Sequence, residues 1–338
     1  MQRPFINRPI ELKDASVLVT GAGGFIGSHL VERLIGLGAH VRAFVRYTSR
    51  VQAGFLDSLA PAQLASVEIV HGDLRDSDAV RKSMEGIRTV FHLGALIGIP
   101  YSYVHPKETV ETNVSGTLNV LLAARDAGAE RVVHTSTSEV YGTARYAPID
   151  EAHPLQGQSP YSASKIGADK ITESFYNSYG LPVVIVRPFN TYGPRQSARA
   201  VIPTIITQAL AGGSVTLGNL NPTRDFTYVS DTVEGFIMAA TSGKTIGRTV
   251  NLGTSEEISI KDLVLKIGLI MGKVLVIKQQ DERRRSAASE VDRLISDNRL
   301  AQELTGWKPA VSLDEGLRLT VDWISRHLDL YPVGKYTI

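Results

Sequence analysis

The apolar positions of this chain fall into short continuous runs, separated by stretches in which they recur at helical spacing. Val17–Val19 is one such run, as expected of a parallel strand covered on both faces. Leu30, Leu34 and Leu37 follow at helical intervals, Gly38 punctuates, and His40–Val45 forms the next predicted strand. Further strands are predicted at Val67–Val70, Thr89–Leu93, Arg131–Thr135 and Val183–Val186. Between them lie predicted helices at Ser77–Met84, Thr109–Ala127 and Ser162–Tyr179. Repeated strand–helix–strand units of this kind predict an α/β fold, a doubly wound parallel sheet with right-handed crossovers.

Near residue 190, after RPFNTYGP, the rhythm changes. Helical stretches at Ala200–Ala211, Asp231–Ala240, Ile260–Met271 and Asp314–His327 are separated by short strand-like pieces, among them Ser214–Leu217 and Lys273–Lys278. The pattern predicts a larger domain over residues 1–190, to which the chain returns around 225–255. A smaller C-terminal α+β lobe is expected over 191–338.

Composition narrows the classes of function. The 338 residues are enough to bury a sizeable core. With 43% hydrophobic and 21% charged residues and a net charge of +2, no excess charge points to nucleic acid or a membrane surface. The absence of cysteine excludes disulfides, thiolate metal sites and a cysteine nucleophile. The eight histidines show no metal-ligand spacing, and His92 in VFHLGA reads as a packed strand residue, so no metal is expected. The opening MQRPFINRPIELKDAS has no apolar signal region and no run approaches a membrane span, so a cytoplasmic location is expected.

TGAGGFIG sets Gly21, Gly24 and Gly27 between the first strand and the first helix. This GxxGxxG spacing supplies a tight turn, backbone close to a pyrophosphate, and a helix N-terminus aimed at negative charge. In this setting it predicts dinucleotide binding, and hence a Rossmann-type sheet. The acid that usually ends the second strand and holds the adenosine ribose is missing: Val45 stands there and Arg46 follows. Arginine pairs with a 2′-phosphate where a carboxylate would repel it, which favours NADP over NAD. The alternative is that Arg46 stacks on adenine or faces solvent. Asp73, in GDLRD after the third strand, is placed either to reach the adenine edge or to cap the next helix.

PYSASK places Tyr161 and Lys165 four residues apart at the start of a helix, on one face. Tyrosine titrates at about 10, too high for a base at neutral pH, and an adjacent ammonium lowers it. Upstream, HTSTSEVYG ends a strand in a row of hydroxyls and then a carboxylate, Glu139. A polar loop at a strand end is the simple explanation for this stretch taken alone.

Taken in order, TGAGGFIG, GDLRD, FHLGA, STSEVYG, PYSASK, RPFNTYGP and RDFTYVSD give the chain a strong resemblance, over nearly its whole length, to the extended short-chain dehydrogenase/reductase superfamily. Within it the chain resembles the nucleotide-sugar 4,6-dehydratases. ALIGIPYSY and PIDEAHPLQGQSPYSASKIGADK make it most similar to the N-acetylglucosamine 4,6-dehydratases of legionaminic acid biosynthesis, while FVRYTS resembles the NADP-binding stretch of the GDP-mannose enzymes. The resemblance implies a tightly bound NAD(P) lined by Gly21, Gly24, Phe25, Ile26, Gly27, Arg46, Asp73, Leu74, Leu93, Gly94, Ala95, Tyr161 and Lys165. It also implies a redox-neutral reaction on UDP- or GDP-N-acetylglucosamine. Tyr161 takes the C4 hydroxyl proton, Thr137 hydrogen-bonds the C4 oxygen, and Glu139 takes the C5 proton once C4 is a ketone. Ser138 stands where dTDP-glucose dehydratases carry aspartate. Serine is a poor general acid, so Glu139 is expected to move both protons, through Ser138 or water.

On the substrate side, Asn190, Arg224 and Arg285 match positions that hold the diphosphate and nucleotide in this superfamily. Arg195 and Glu290 are further candidates, and Arg283 and Arg284 read as solvated. The apolar loop Leu96–Pro100 is placed either to receive an acetamido methyl group or to pack at the surface. The helices at 109–127 and 162–179 resemble the pair that forms a four-helix homodimer interface. Three rival functions share these motifs: a UDP-glucuronate decarboxylase, which needs a cation for the sugar carboxylate; a 4-epimerase, which typically lacks the acid at Glu139; and a non-catalytic dinucleotide sensor, which often loses the Tyr/Lys pair.

Overall fold

The parallel strands expected from the apolar runs are present in the computed structural model, which describes residues 8–49, 52–280 and 290–331. They are β1 (Ser16–Thr20), β2 (His40–Arg46), β3 (Glu68–Gly72), β4 (Thr89–His92), β5 (Arg131–Thr135) and β6 (Val183–Pro188). Every residue of β4 and β6 is buried, which explains why those stretches are apolar rather than alternating. Helices α1 (Phe25–Gly36), α2 (Pro61–Leu64), α3 (Ser77–Ser83), α4 (Ile99–Val104), α5 (Pro106–Val110), α6 (Gly116–Ala127) and α7 (Pro160–Tyr179) punctuate them. Successive residues of β1 face opposite layers: Val17 and Val19 pack with Leu30 and Leu34 of α1, while Leu18 packs with Leu121 of α6.

The later elements are β7 (Asn190–Tyr192), α8 (Val201–Ala211), β8 (Ser214–Leu217), β9 (Thr223–Arg224), β10 (Phe226–Tyr228), α9 (Val229–Thr241) and β11 (Thr249–Leu252). After them come β12 (Ile258–Ser259), α10 (Ile260–Ile270), β13 (Val276–Gln279), β14 (Arg293–Leu294), α11 (Arg299–Thr305) and α12 (Leu313–Arg326). Strand β11 joins β6, completing a seven-stranded sheet of order β11-β6-β5-β4-β1-β2-β3 in which all neighbours run parallel. The strand order reverses between β1 and β4, and there a doubly wound sheet opens its crevice at the carboxyl ends of the strands. Helix α9 packs on α1 and on β5 and β6, whereas α8, α10 and α12 pack on one another. Smaller sheets join β7 with β10, β8 with β13, and β12 with β9 and β14. Among the described residues no helix is long and apolar enough to cross a membrane.

Three local departures from the sequence expectation bear on the site. The helix expected over Thr109–Ala127 is interrupted by a π-turn, Glu111–Ser115, between α5 and α6. That turn directs Asn113 inward, where its amide bonds both the N–H (2.8 Å) and the C=O (2.9 Å) of Leu96 and the Ser164 hydroxyl (2.9 Å). The stretch read as an apolar loop, Leu96–Pro100, runs into α4, with Ile99 buried and Ile97 exposed. Helix α7 begins before Ser162, because Ser159 and Ser162 form a reciprocal capping box around Pro160.

Candidate active site at the switch point of the sheet

The glycine turn has the shape that its spacing implies. Gly21 lies at φ +69°, and a Cβ there would sit 2.8 Å from the Gly94 amide nitrogen. A Cβ on Gly27 would sit 2.2 Å from the Gly21 carbonyl oxygen. Gly24 is the N-cap of α1 and offers no side chain to its first turn, so no N-cap side chain covers the amides that follow at Phe25, Ile26 and Gly27. A cradle that only glycine fits, at an uncapped helix N-terminus beside the switch point, suits a dinucleotide pyrophosphate. Thr20 pins the floor: its hydroxyl accepts from Gly94 N–H (3.1 Å) and pairs with His92 Nδ1 (2.7 Å). His92 is fully buried and also bonds the Thr117 hydroxyl (3.0 Å), so it is a packed strand residue. Leu93 and Ala95 beside it are half-buried.

Asp73 is not the cap of the helix that follows it. Helix α3 is capped by Asp76, whose carboxylate accepts from the amides of Asp78 and Ala79. Asp73, next to the buried Leu74, instead accepts from Arg75 Nε (3.0 Å) and Nη2 (2.7 Å), and this pairing holds its carboxyl below the usual range. Arg46, at the end of β2, keeps 60% of its side chain exposed and lies 3.3 Å from Glu108. The other Glu108 oxygen accepts from the Tyr101 hydroxyl of α4 (2.6 Å).

Thr137, Ser138 and Glu139 leave the end of β5 through a 3-10 turn, Ser138–Tyr141, and come beside α7. The Thr137 hydroxyl accepts from the Glu139 amide (3.2 Å) and hydrogen-bonds the phenol of Tyr161. Ser138 is buried and Glu139 half-buried. Tyr161 and Lys165 are both buried on one face of α7. The lowering of the tyrosine expected from its lysine neighbour is not found. Burial pushes the phenol well above its ordinary value and the carboxylates of Glu139 and Asp169 add to this, while the Thr137 hydroxyl pulls it back. Burial acts on Lys165 in the opposite sense and brings it down to about 8, against the raising effect of Asp169.

The substrate candidates divide. Asn190, on β7, presents a buried side-chain amide with no protein partner for Nδ2 among the described residues, a donor left for a ligand. Arg224 and Glu290 come together at 3.9 Å, and both are largely buried. Arg195 does not join them: at φ +66° it turns back onto α1, where it pairs with Glu32 (2.9 Å) and reaches the Ser28 hydroxyl (3.4 Å). Arg285, with Arg283 and Arg284, lies outside the described residues. Sequence reasoning missed Asn113, Ser164 and Asp169. Only Asp169 carried a signal, since it continues the four-residue spacing of Tyr161 and Lys165 along α7.

Comparisons with known proteins show the family. Residues 18–320 match the family described as GDP-mannose 4,6 dehydratase. The chain is 35% identical to a dTDP-glucose 4,6-dehydratase of Streptomyces griseus, over 94% of this chain and 98% of that relative. It is 33% identical to a putative UDP-glucose 4-epimerase of Methanocaldococcus jannaschii, over 92% and 99% respectively. DesIV, a dTDP-glucose 4,6-dehydratase of Streptomyces venezuelae solved with NAD bound, superposes with a TM-score of 0.81 at 31% identity, covering 94% of this chain and 98% of that one. The chain belongs to this family of extended short-chain dehydrogenases/reductases, the nucleotide-sugar dehydratases and epimerases.

Proposed function

We propose that the protein is a redox-neutral 4,6-dehydratase that converts UDP- or GDP-N-acetylglucosamine to its 4-keto-6-deoxy derivative. The observation that carries this reading is Glu139, whose carboxylate lies close enough to raise the Tyr161 phenol and whose backbone amide donates to the Thr137 hydroxyl that bonds that phenol. An acid beside a tyrosine–lysine pair is what removal of a C5 proton next to a C4 ketone requires. NAD(P), which the glycine turn of Gly21, Gly24 and Gly27 and Lys165 would hold, would supply a recycled hydride carrier, so no net oxidation would result. Tyr161 receives the C4 hydroxyl proton, and Thr137 orients the C4 oxygen. Glu139 withdraws the C5 proton and, through Ser138 or water, delivers it to the C6 hydroxyl, which leaves as water; once C6 is reduced, C5 takes back a proton from solvent. Lys165 holds the nicotinamide ribose, while Asn190, Arg224, Glu290 and Arg285 bind the nucleoside diphosphate. The exposed guanidinium of Arg46, at the end of β2, supports a preference for NADP over NAD.

The protein acts in this scheme as a cytoplasmic homodimer, with residues 1–190 and 225–255 binding the dinucleotide and most of 191–338 the sugar nucleotide. Exposed Val110 and Tyr179, with half-buried Leu118, Leu122 and Ile171, supply apolar surface on α5, α6 and α7 for a four-helix interface. Incubation with each N-acetylglucosamine nucleotide in deuterated water, followed by proton NMR, tests the reading. The expected result is a new C6 methyl signal, deuterium at C5 and no net cofactor consumption. No methyl from either nucleotide refutes it. A 4-epimerase is the second reading, favoured by the likeness to the Methanocaldococcus jannaschii protein. It would give the C4 epimer with no deuterium at C5.

A further inference from the structure

We propose that Asp169 is the positioning residue of the Tyr161–Lys165 pair: its buried carboxylate keeps the Lys165 ammonium charged inside the core. Asp169 follows Lys165 by four residues on α7, so the two share the inward face that also carries Tyr161. It is completely buried and held from three directions. Arg187 of β6 donates to Oδ2 from Nη2 (2.9 Å) and Nε (3.2 Å), Ser136 donates to the same oxygen (2.8 Å), and His134 Nε2 meets Oδ1 (3.2 Å). Arg187 is fixed in turn, since its Nη1 donates to the Tyr141 hydroxyl (3.0 Å), which donates to Asn251 (2.7 Å). The carboxylate therefore cannot swing away from its helix.

The groups around Lys165 give this placement its consequence. His134 on β5 and His92 on β4 lie near the lysine, and burial lowers both so that they are neutral at physiological pH. Arg187 lies beyond Asp169 and is positive. Tyr161, on the same helix, is neutral because burial raises it. Glu139 faces Tyr161 from the turn after β5. Asp169 is thus the fixed anion that opposes the burial of Lys165. Burial acts against Asp169 too, but His134, Arg187 and Lys165 together hold it ionised. Replacing it with a neutral group leaves the buried ammonium without its opposing anion, so the lysine gives up its proton more readily.

The catalytic meaning of a charged Lys165 rests on the function proposed above, but the electrostatic link does not. The first test therefore requires no turnover. Protein labelled with 13C at the lysine ε-carbon is titrated by NMR, with the Lys165 signal assigned by its loss in Lys165→Met. The midpoint expected for the native chain is about 8. Asp169→Asn should lower it by about one unit or more, a tenfold change in the ionisation constant. Because this variant strands Arg187, the pair Asp169→Asn/Arg187→Met serves as the second variant; it removes both charges and should show the same fall. A midpoint that does not move in a folded variant overturns the proposal. So does a native Lys165 that is already neutral at pH 7, a result that needs no variant. In the kinetic assay the alkaline limb of kcat should shift down with the NMR midpoint, whereas loss of activity without that shift would assign Asp169 a purely structural role. Absence of turnover by the native chain would reject the proposed function and leave the NMR result standing.

Discussion

The glycine turn provides a stringent test of how the dinucleotide is held, because three glycines within it and its helix differ sharply in the space around them. A Cβ at Gly27 would lie 2.2 Å from the Gly21 carbonyl oxygen and 2.9 Å from its carbonyl carbon, both backbone atoms of the turn itself. Ordinary contact for such a pair is roughly 3.3 Å, so Gly27→Ala must push the turn away from α1 by about 1 Å. Overpacking of this kind costs about 1–3 kcal/mol, or roughly 1–4 °C in Tm for a chain of this size. The same displacement moves the amides of Phe25 and Ile26 off the pyrophosphate, and dinucleotide Kd should rise at least about tenfold. Gly24 meets the same oxygen at 3.2 Å, so Gly24→Ala needs only a small adjustment and should weaken binding less. Gly36, exposed at the end of α1, has nothing within 4 Å; Gly36→Ala should leave binding unchanged and raise stability by about 0.5–1 kcal/mol. Calorimetric titration with NAD and NADP and thermal melts of the three variants measure both effects. Unchanged affinity and Tm in Gly27→Ala would refute the reasoning.

Glu139→Gln should slow C5 deuterium incorporation by about 10²–10⁴-fold while reduced nicotinamide still forms at 340 nm; equal loss of both steps would remove Glu139 from the C5 proton transfer. His29 is drawn down from 6.5 to about 4, first by burial and then by Arg195. The folded chain therefore favours neutral His29, so its contribution is full above pH 6.5 and is lost as pH falls to about 4, on the order of 3 kcal/mol. Melts across that window should show Tm falling with acid, and a smaller fall in His29→Gln; equal slopes would contradict the assignment. Arg224→Ala should raise KM for the sugar nucleotide at least about tenfold with a smaller change in kcat, measured by initial rates, since it removes a charge that binds substrate and transition state alike.

Local periodicity made much of the scaffold legible. Continuous apolar runs mark strands buried on both faces, and every strand expected before residue 190 occurs in the parallel sheet. A return of the chain around 225–255 was expected, but not its pairing: β11 joins next to β6 although β7 to β10 intervene in sequence, and no local pattern reports such a partner. The π-turn at Glu111–Ser115 was hidden for a similar reason. It is favoured by Asn113 bonding Leu96 and Ser164, contacts made across the fold rather than along the helix.

The candidate site divides along the same line. By itself the sequence determined whatever depends on neighbours in the chain. Gly21, Gly24 and Gly27 form a turn because their spacing and missing side chains require one. Tyr161 and Lys165 share a face because four residues make about one helical turn. Tertiary structure decided where charges meet. It turned Arg195 onto Glu32, brought Arg224 to Glu290, and closed Asp169, His134 and Arg187 into one buried cluster from α7, β5 and β6. It also set the sign of the shift at Tyr161, where burial raises the phenol although a lysine stands four residues on. Desolvation and long-range pairing depend on what surrounds a group in three dimensions, and the order of residues along one strand or helix does not encode that.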